Sequence, residues 1–200
     1  MATPTRSRNA KGEGGRLRTD LLDAAADLLA EEGDVVSLRA IAARAGVSPT
    51  AVYRHFDDHL ELLRAAVRHC WAEFERALVE PGEGVADAVL AFRASGEAYL
   101  RFAEEQPGKY RVLFANKIDL GMDDAVGSSA FEHLVGQVAA ILHANGDPRD
   151  PRFVAVQVHT WIHGMVDLIG RHPDGDWPST IMLLDELGVR LGLTTGDATP

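Results

Sequence analysis

Two hundred residues with 46% hydrophobic content make one large domain or two small ones, with enough apolar material for a core of ordinary size. The net charge of −10 excludes a uniformly basic coat, yet residues 1–70 carry ten basic and ten acidic groups, so the acidity lies entirely beyond them. A single cysteine, Cys70, excludes an intramolecular disulfide and a cysteine-based zinc site and reads as a small buried apolar residue. No apolar run exceeds five residues, against the ~20 needed to span a bilayer, and the start lacks an apolar signal segment, so the chain reads as cytoplasmic.

In chain order, residues 1–13 form a basic arm expected to be disordered. Through residue 18, Arg6, Arg8, Lys11, Arg16 and Arg18 stand against Glu13 alone, a surplus suited to a polyanion. Beyond the arm, apolar residues recur at three and four while sparse Gly and Pro punctuate long segments. That spacing predicts an all-α protein of about nine helices, over 17–32, 38–45, 49–56, 58–79, 84–105, 107–116, 123–145, 149–171 and 177–192, with a flexible tail over 193–200. The break at Glu80-Pro81-Gly82-Glu83 places a domain seam after the fourth helix.

The stretch 37–56 carries the sharpest local signal. Ser37 is placed to cap a short helix whose apolar face is Leu38, Ile41, Ala42 and Ala45. Gly46 suits a left-handed turn, Val47 can plug it from inside, and Ser48-Pro49 reads as a second helix start with Ser48 available as its cap. On that second helix Val52 and Phe56 turn inward, while Thr50, Tyr53 and Arg54 share the outward side and His55 flanks it. Arginine pairs with guanine in bidentate fashion, and hydroxyl, aromatic and imidazole groups suit bases and phosphates, so the pattern predicts a helix-turn-helix with its second helix in the major groove.

The residues Arg18-Thr-Asp-Leu-Leu-Asp-Ala-Ala, Leu28-Leu-Ala-Glu-Glu-Gly33, Ile41-Ala-Ala-Arg-Ala-Gly-Val-Ser48 and Thr50-Ala-Val-Tyr-Arg-His-Phe56 resemble the DNA-binding domain of TetR-type transcriptional regulators. The resemblance covers 14–74. It implies a homodimer whose recognition helices read successive grooves of a near-palindromic operator in double-stranded DNA. It places Arg18, Ser37 and Arg39 near phosphates, and Ser48, Pro49, Thr50, Tyr53, Arg54 and His55 at the recognition surface. One position departs: His59-Leu60 stands where the family usually has Lys-Glu at the start of the fourth helix, so a phosphate contact there is weakened or made pH-dependent. Asp57 and Asp58 are placed to cap that helix.

Eleven of the thirteen aromatic residues lie after residue 70. Residues 84–192 are therefore expected to form a ligand-binding and dimerisation domain, with Phe92, Tyr99, Phe102, Tyr110, Phe114, Phe131 and Trp161 as candidate pocket walls, each equally able to serve as plain core. The helix over 149–171 shows an apolar stripe (Val154, Val158, Trp161, Met165, Leu168) and an opposite side (Val156, His159, His163, Val166). The last helix lines Trp177, Ile181, Leu184, Gly188 and Leu191 along one face. Together they predict a dimer interface of His159, His163, Val166, Ile181, Leu184, Gly188 and Leu191. His159 and His163 have a metal-compatible spacing but no third ligand, so no metal and no cofactor is expected. Arg111, His133 and His143 read as surface or interface groups. Gln106-Pro-Gly-Lys-Tyr-Arg-Val-Leu-Phe114 and Trp161-Ile-His-Gly164 also resemble the effector domain of a TetR subgroup named for a Trp-His-Gly signature.

The resulting expectation is a homodimeric repressor released from its operator by a small apolar effector that moves the fourth helix and changes the separation of the recognition helices. An enzyme is not expected, since no nucleophile with its base, phosphate loop or complete metal set is present. An architectural DNA-binding protein without a ligand is the remaining alternative.

Overall fold

The computed structural model describes residues 14–32, 36–114, 120 and 127–193. Among these there are nine α-helices and no strand: α1 (Gly14–Glu32), α2 (Leu38–Arg44), α3 (Pro49–Val52), α4 (His59–Val79), α5 (Ala88–Glu105), α6 (Pro107–Phe114), α7 (Ser128–Ala144), α8 (Pro151–Arg171) and α9 (Thr180–Arg190). A 3-10 turn, Glu80–Gly82, follows α4. The basic arm over 1–13, the tail over 194–200 and the expected first residues of the seventh helix, 123–126, lie outside the described residues.

Capping side chains open four of the nine helices. Ser37 accepts the Ala40 N–H at 3.1 Å and opens α2. Asp58 accepts the Glu61 N–H at 2.7 Å at the head of α4, and the Glu61 carboxylate reaches back to the Asp57 N–H. Asp87 accepts from the N–H groups of Val89 and Leu90, which delays α5 to residue 88, four positions after its expected start. Asp150 accepts the Arg152 N–H at 3.0 Å with Pro151 at the first helical position. Trp177 sits in the turn before α9 rather than on its inner face, its ring N–H donating to the His172 carbonyl at 2.7 Å.

The chain forms two compact units, residues 1–73 with 106–126, and residues 74–105 with 127–200. The division falls within α4, between Glu73 and Phe74, and not at Glu80–Glu83. It also assigns α6 to the N-terminal unit.

The N-terminal unit has a core of small and medium aliphatics, with Leu21, Ala25, Leu29, Ile41, Ala42, Val52, Leu62 and Ala66 almost fully buried. Val112 from α6 belongs to the same cluster, and Lys109 binds the carboxylates of Asp23 and Glu73, so α6 packs on α1 through both apolar and ionic contacts. Cys70 is buried here as expected. Burial pushes its thiol pKa up to about 12, so it stays protonated and unreactive.

In the C-terminal unit α7 packs on α8, and α5 packs on α7 and α9. Phe74 meets Tyr99 and Phe102 edge-on at 5.2 and 5.1 Å. Gly96 lets α9 approach α5: a Cβ there would lie 2.9 Å from Leu184 Cδ2. Arg149 closes the far end, pairing with Asp147 and donating to the Leu191 carbonyl at 2.6 Å.

Candidate nucleic-acid interface and effector domain

The two short helices are joined by a tight turn. Gly46 takes a left-handed φ of 70°, and Val47 donates its N–H to the Ala42 carbonyl at 2.9 Å, which seals the end of α2. Val47 packs half-buried against the N-terminal core. Ser48 departs from expectation: its side chain makes no capping bond, and Pro49 at the first helical position begins α3 without one. Helix α3 is also shorter than the predicted 49–56. After Val52 the amides turn to nearer carbonyls, Arg54 N to Ala51 O at 3.3 Å and His55 N to Val52 O at 2.9 Å, so residues 53–55 finish as a tightened turn. This tightening brings Phe56 into the core, 2% exposed, beneath the fully buried Val52.

With those anchors inward, Pro49, Thr50, Tyr53 and Arg54 face outward and His55 is half-exposed. Tyr53 is 59% exposed, its ring turned away from the core. Arg18 from α1 lies over the Phe56 ring at 5.0 Å, so its guanidinium is held near the end of this face. Ser37 and Arg39 are exposed at the start of α2, with the Ser37 oxygen already engaged as a cap. His59 is half-buried, and its Nε2 is shut away from solvent with no hydrogen-bond partner among the described residues, so the ring is not held out toward a backbone phosphate.

The expected pocket residues divide between the units. Tyr110 and Phe114 belong to the N-terminal unit, where their rings lie 4.8 Å apart and Phe114 meets Trp71 edge-on. Phe92, Tyr99 and Phe102 are buried in the C-terminal unit. Phe131 is half-buried between His159 and the Arg152 guanidinium, and Trp161 is exposed. Of the expected interface residues, Leu184 and Gly188 are buried within their own unit, Leu191 is packed against its core, and Val166 and Ile181 are half-buried. The outward apolar groups are instead Phe153, Val156, Trp161 and Leu168 on α8, and Met182 and Val189 on α9.

His159 and His163 stack with centroids 5.8 Å apart, and the Tyr99 hydroxyl lies 3.4 Å from His163 Nδ1. Burial, with a smaller contribution from the neighbouring His163, lowers the pKa of His159. His133 is not a surface group: it is half-buried, with Nε2 inaccessible, and burial lowers its pKa too. Arg111 and His143 are exposed.

Among the described residues one set of side chains has metal-ligand spacing, Asp23, His69 and Glu73, whose ligand atoms lie within 4.8 Å of one another. The Lys109 ammonium is bonded to both carboxylates there, so the cation these acids hold is the lysine. Burial opposes the charge on Lys109, but Glu73 and Asp23 outweigh it and raise its pKa.

Sequence reasoning missed this network and the interior polar groups Ser95 and Gln137. The available signal was phase: His133 and Gln137 share the inward stripe of α7 with Ala130, Leu134, Val138 and Ile141.

Comparison with known proteins places these units. Residues 21–66 match the family described as bacterial regulatory proteins, tetR family, and residues 92–173 match the tetracyclin repressor-like C-terminal domain. A TetR-like transcriptional regulator from Rhodococcus sp. RHA1 has a similar structure, with TM-score 0.72 and 24% identity over 93% of this chain and 98% of that one. A transcriptional regulator from Pseudomonas aeruginosa PAO1 aligns with TM-score 0.77 and 18% identity over 95% and 97%. SmeT, the repressor of the Stenotrophomonas maltophilia multidrug efflux pump SmeDEF, aligns with TM-score 0.65 and 24% identity over 92% and 95%. These relatives are regulators, not enzymes, and no helix among the described residues is long and apolar enough to cross a membrane. These matches give the chain a tetR-family helix-turn-helix domain over residues 21–66 and a tetracyclin repressor-like C-terminal domain over residues 92–173, on the fold that the solved structures share.

Proposed function

We propose that the protein is a homodimeric, ligand-responsive repressor acting in the cytoplasm on a near-palindromic operator, and that a small, mainly apolar effector releases it. The observation that carries this reading is the outward face of α3, where Thr50, Tyr53, Arg54 and His55 project while Val52 and Phe56 lock the helix from beneath. Two such faces must meet successive major grooves ~34–36 Å apart, so a second copy is required. The exposed apolar groups of α8 and α9, Phe153, Val156, Trp161, Leu168, Met182 and Val189, supply a surface for that copy, with Gly164 exposed among them on α8. The stretch Trp161-Ile-His-Gly164 supports placement in the Trp-His-Gly subgroup. An effector needs only to bind the DNA-incompetent conformation better, and a hundredfold preference biases the equilibrium by ~2.7 kcal/mol.

The test is a footprint of the purified protein on the DNA flanking its own coding sequence, repeated across a salt series. A symmetric protected site that survives moderate salt is the expected result. Smeared protection that disappears uniformly with salt would instead mark a sequence-independent, architectural DNA-binding protein.

A further inference from the structure

We infer that the C-terminal unit carries a polar subsite on α7, at Gln137 and His133, that takes the hydroxyl group of an uncharged, otherwise apolar molecule. This rests on the ligand-responsive reading and specifies its ligand. The orientation of the Gln137 amide follows from its neighbour. Ser95 has one hydroxyl hydrogen and gives it to the Leu78 carbonyl at 2.7 Å, so toward Gln137 its oxygen can only accept. Gln137 Nε2 therefore donates to Ser95 Oγ at 2.8 Å and lies 3.4 Å from the Ala91 carbonyl. That leaves Gln137 Oε1 on the other side, buried and without a partner among the described residues. One turn earlier on the same inward stripe, His133 Nε2 is also buried and without a partner there. Residues so spaced have Cβ atoms ~5–6 Å apart, within reach of one small polar group.

Unsatisfied buried polar atoms are destabilising, and two in succession on one stripe mark a place shaped for something other than packing. Their chemistry selects the occupant. An amide oxygen only accepts, so the ligand must bring a hydrogen. Burial keeps the His133 imidazole neutral, so its Nε2 can donate or accept according to tautomer. A single hydroxyl meets both demands, donating to Gln137 Oε1 and accepting from His133. A carboxylate has no hydrogen to give and finds no cation on the stripe, which reads Ala130, His133, Leu134, Gln137, Val138, Ile141. Arg93, on facing helix α5, is held by Asp185 and Glu97. Around the stripe, Phe92, Phe131 and Leu142 belong to or pack against an apolar cluster suited to a hydrocarbon body.

The experiment uses the full chain with 1-octanol, 1-naphthol, octanoate and octylamine as probes, read by calorimetry and thermal shift. At least one alcohol is expected to bind and raise Tm, with octanoate and octylamine at least tenfold weaker. Gln137→Met and His133→Leu should each weaken alcohol binding about tenfold, while ligand-free Tm stays level or rises in His133→Leu and falls slightly in Gln137→Met, which also loses the bond to Ser95. Binding of octanoate as tight as that of octanol, alcohol binding untouched by Gln137→Met, or no binding by either alcohol overturns the subsite. Alcohol binding unchanged in His133→Leu, with ligand-free Tm lowered, also overturns it, because that residue is then structural. Failure of the subsite leaves a symmetric operator footprint intact. Failure of the underlying regulatory reading removes that footprint whatever the probe.

Discussion

The two units place polar chemistry on opposite sides of their helices. In the N-terminal unit the core is mainly Leu, Ala, Ile and Val with Phe56 and Cys70, its partly buried ionic groups Lys109, Asp23 and Glu73 are paired with one another, and Thr50, Tyr53 and Arg54 face outward. In the C-terminal unit the interior contains Ser95, Tyr99, Gln137, His133, His159 and His163 among its apolar groups. A surface that reads a large rigid partner is best carried on a core whose polar groups are already paired, whereas an interior that admits a small molecule must keep polar groups open to it. Under the proposed function, the contrast separates recognition of DNA from recognition of an effector at the level of residue type.

The largest expected effect tests the rigidity of the N-terminal side. Phe56→Ala removes a ring that is 2% exposed and should cost about 3–5 kcal/mol in urea unfolding, because this ring, with Val52, anchors the turn after α3. A loss under 1 kcal/mol would show that this core is slack. Lys109→Met leaves Asp23 and Glu73 without their counter-cation and should destabilise the protein by about 2 kcal/mol, less than a fully buried pair because Asp23 is partly solvated. Hydrogen exchange should then show α6 protected less than in the parent, and unchanged protection would mean that Val112 alone holds it.

Arg54→Ala should remove roughly 1–3 kcal/mol of operator binding with relaxed preference at one base position, measured on a set of operator variants. A uniform loss would make Arg54 a phosphate contact. On the C-terminal side the contrast predicts a pH dependence. Burial holds the pKa values of His133 and His159 below the usual histidine value of about 6.5, which unfolding restores. As pH falls through about 6.5, the unfolded chain gains protons that the folded chain refuses, so stability declines toward pH 5. His159→Gln should flatten a plot of Tm against pH in that window, and an unaltered slope would remove His159 as its source. The smallest effect concerns His59→Lys, which should tighten DNA binding and steepen its salt dependence by about one counterion per subunit. No change would show that the head of α4 does not approach the backbone.

Legibility in the sequence followed the same division. The helix-turn-helix could be read almost residue by residue, since its determinants are local: a cap at Ser37, a left-handed glycine at Gly46, a proline at position 49 and two inward groups four apart. Ser48 was the exception, because Pro49 sufficed to begin the helix. The C-terminal helices were found, and Val154, Val158 and Met165 of the predicted α8 stripe are buried, but Trp161 and Leu168 of that stripe are exposed and the inward turn of Leu184 on α9 was not foreseen. Leu184 turned inward because Gly96 on α5 leaves room for it, and no pattern within α9 reveals a glycine on another helix. Tyr110 and Phe114 were assigned by their aromatic character to a pocket in the second domain, whereas Lys109 and Val112 fasten their helix to α1. His133 was read as a surface or interface group and Gln137 was passed over, because composition weighs a polar residue by its average habit and not by its phase on the helix.

The brevity of α3 has a consequence for how such a protein diversifies. Between Ser48 and Phe56 two side chains, Val52 and Phe56, are buried; Thr50, Tyr53, Arg54 and His55 are free of the core. Under the proposed function, specificity and foldability are therefore written in separate letters. A gene copy could drift through most combinations at those four positions and address new operators while inheriting its stability intact.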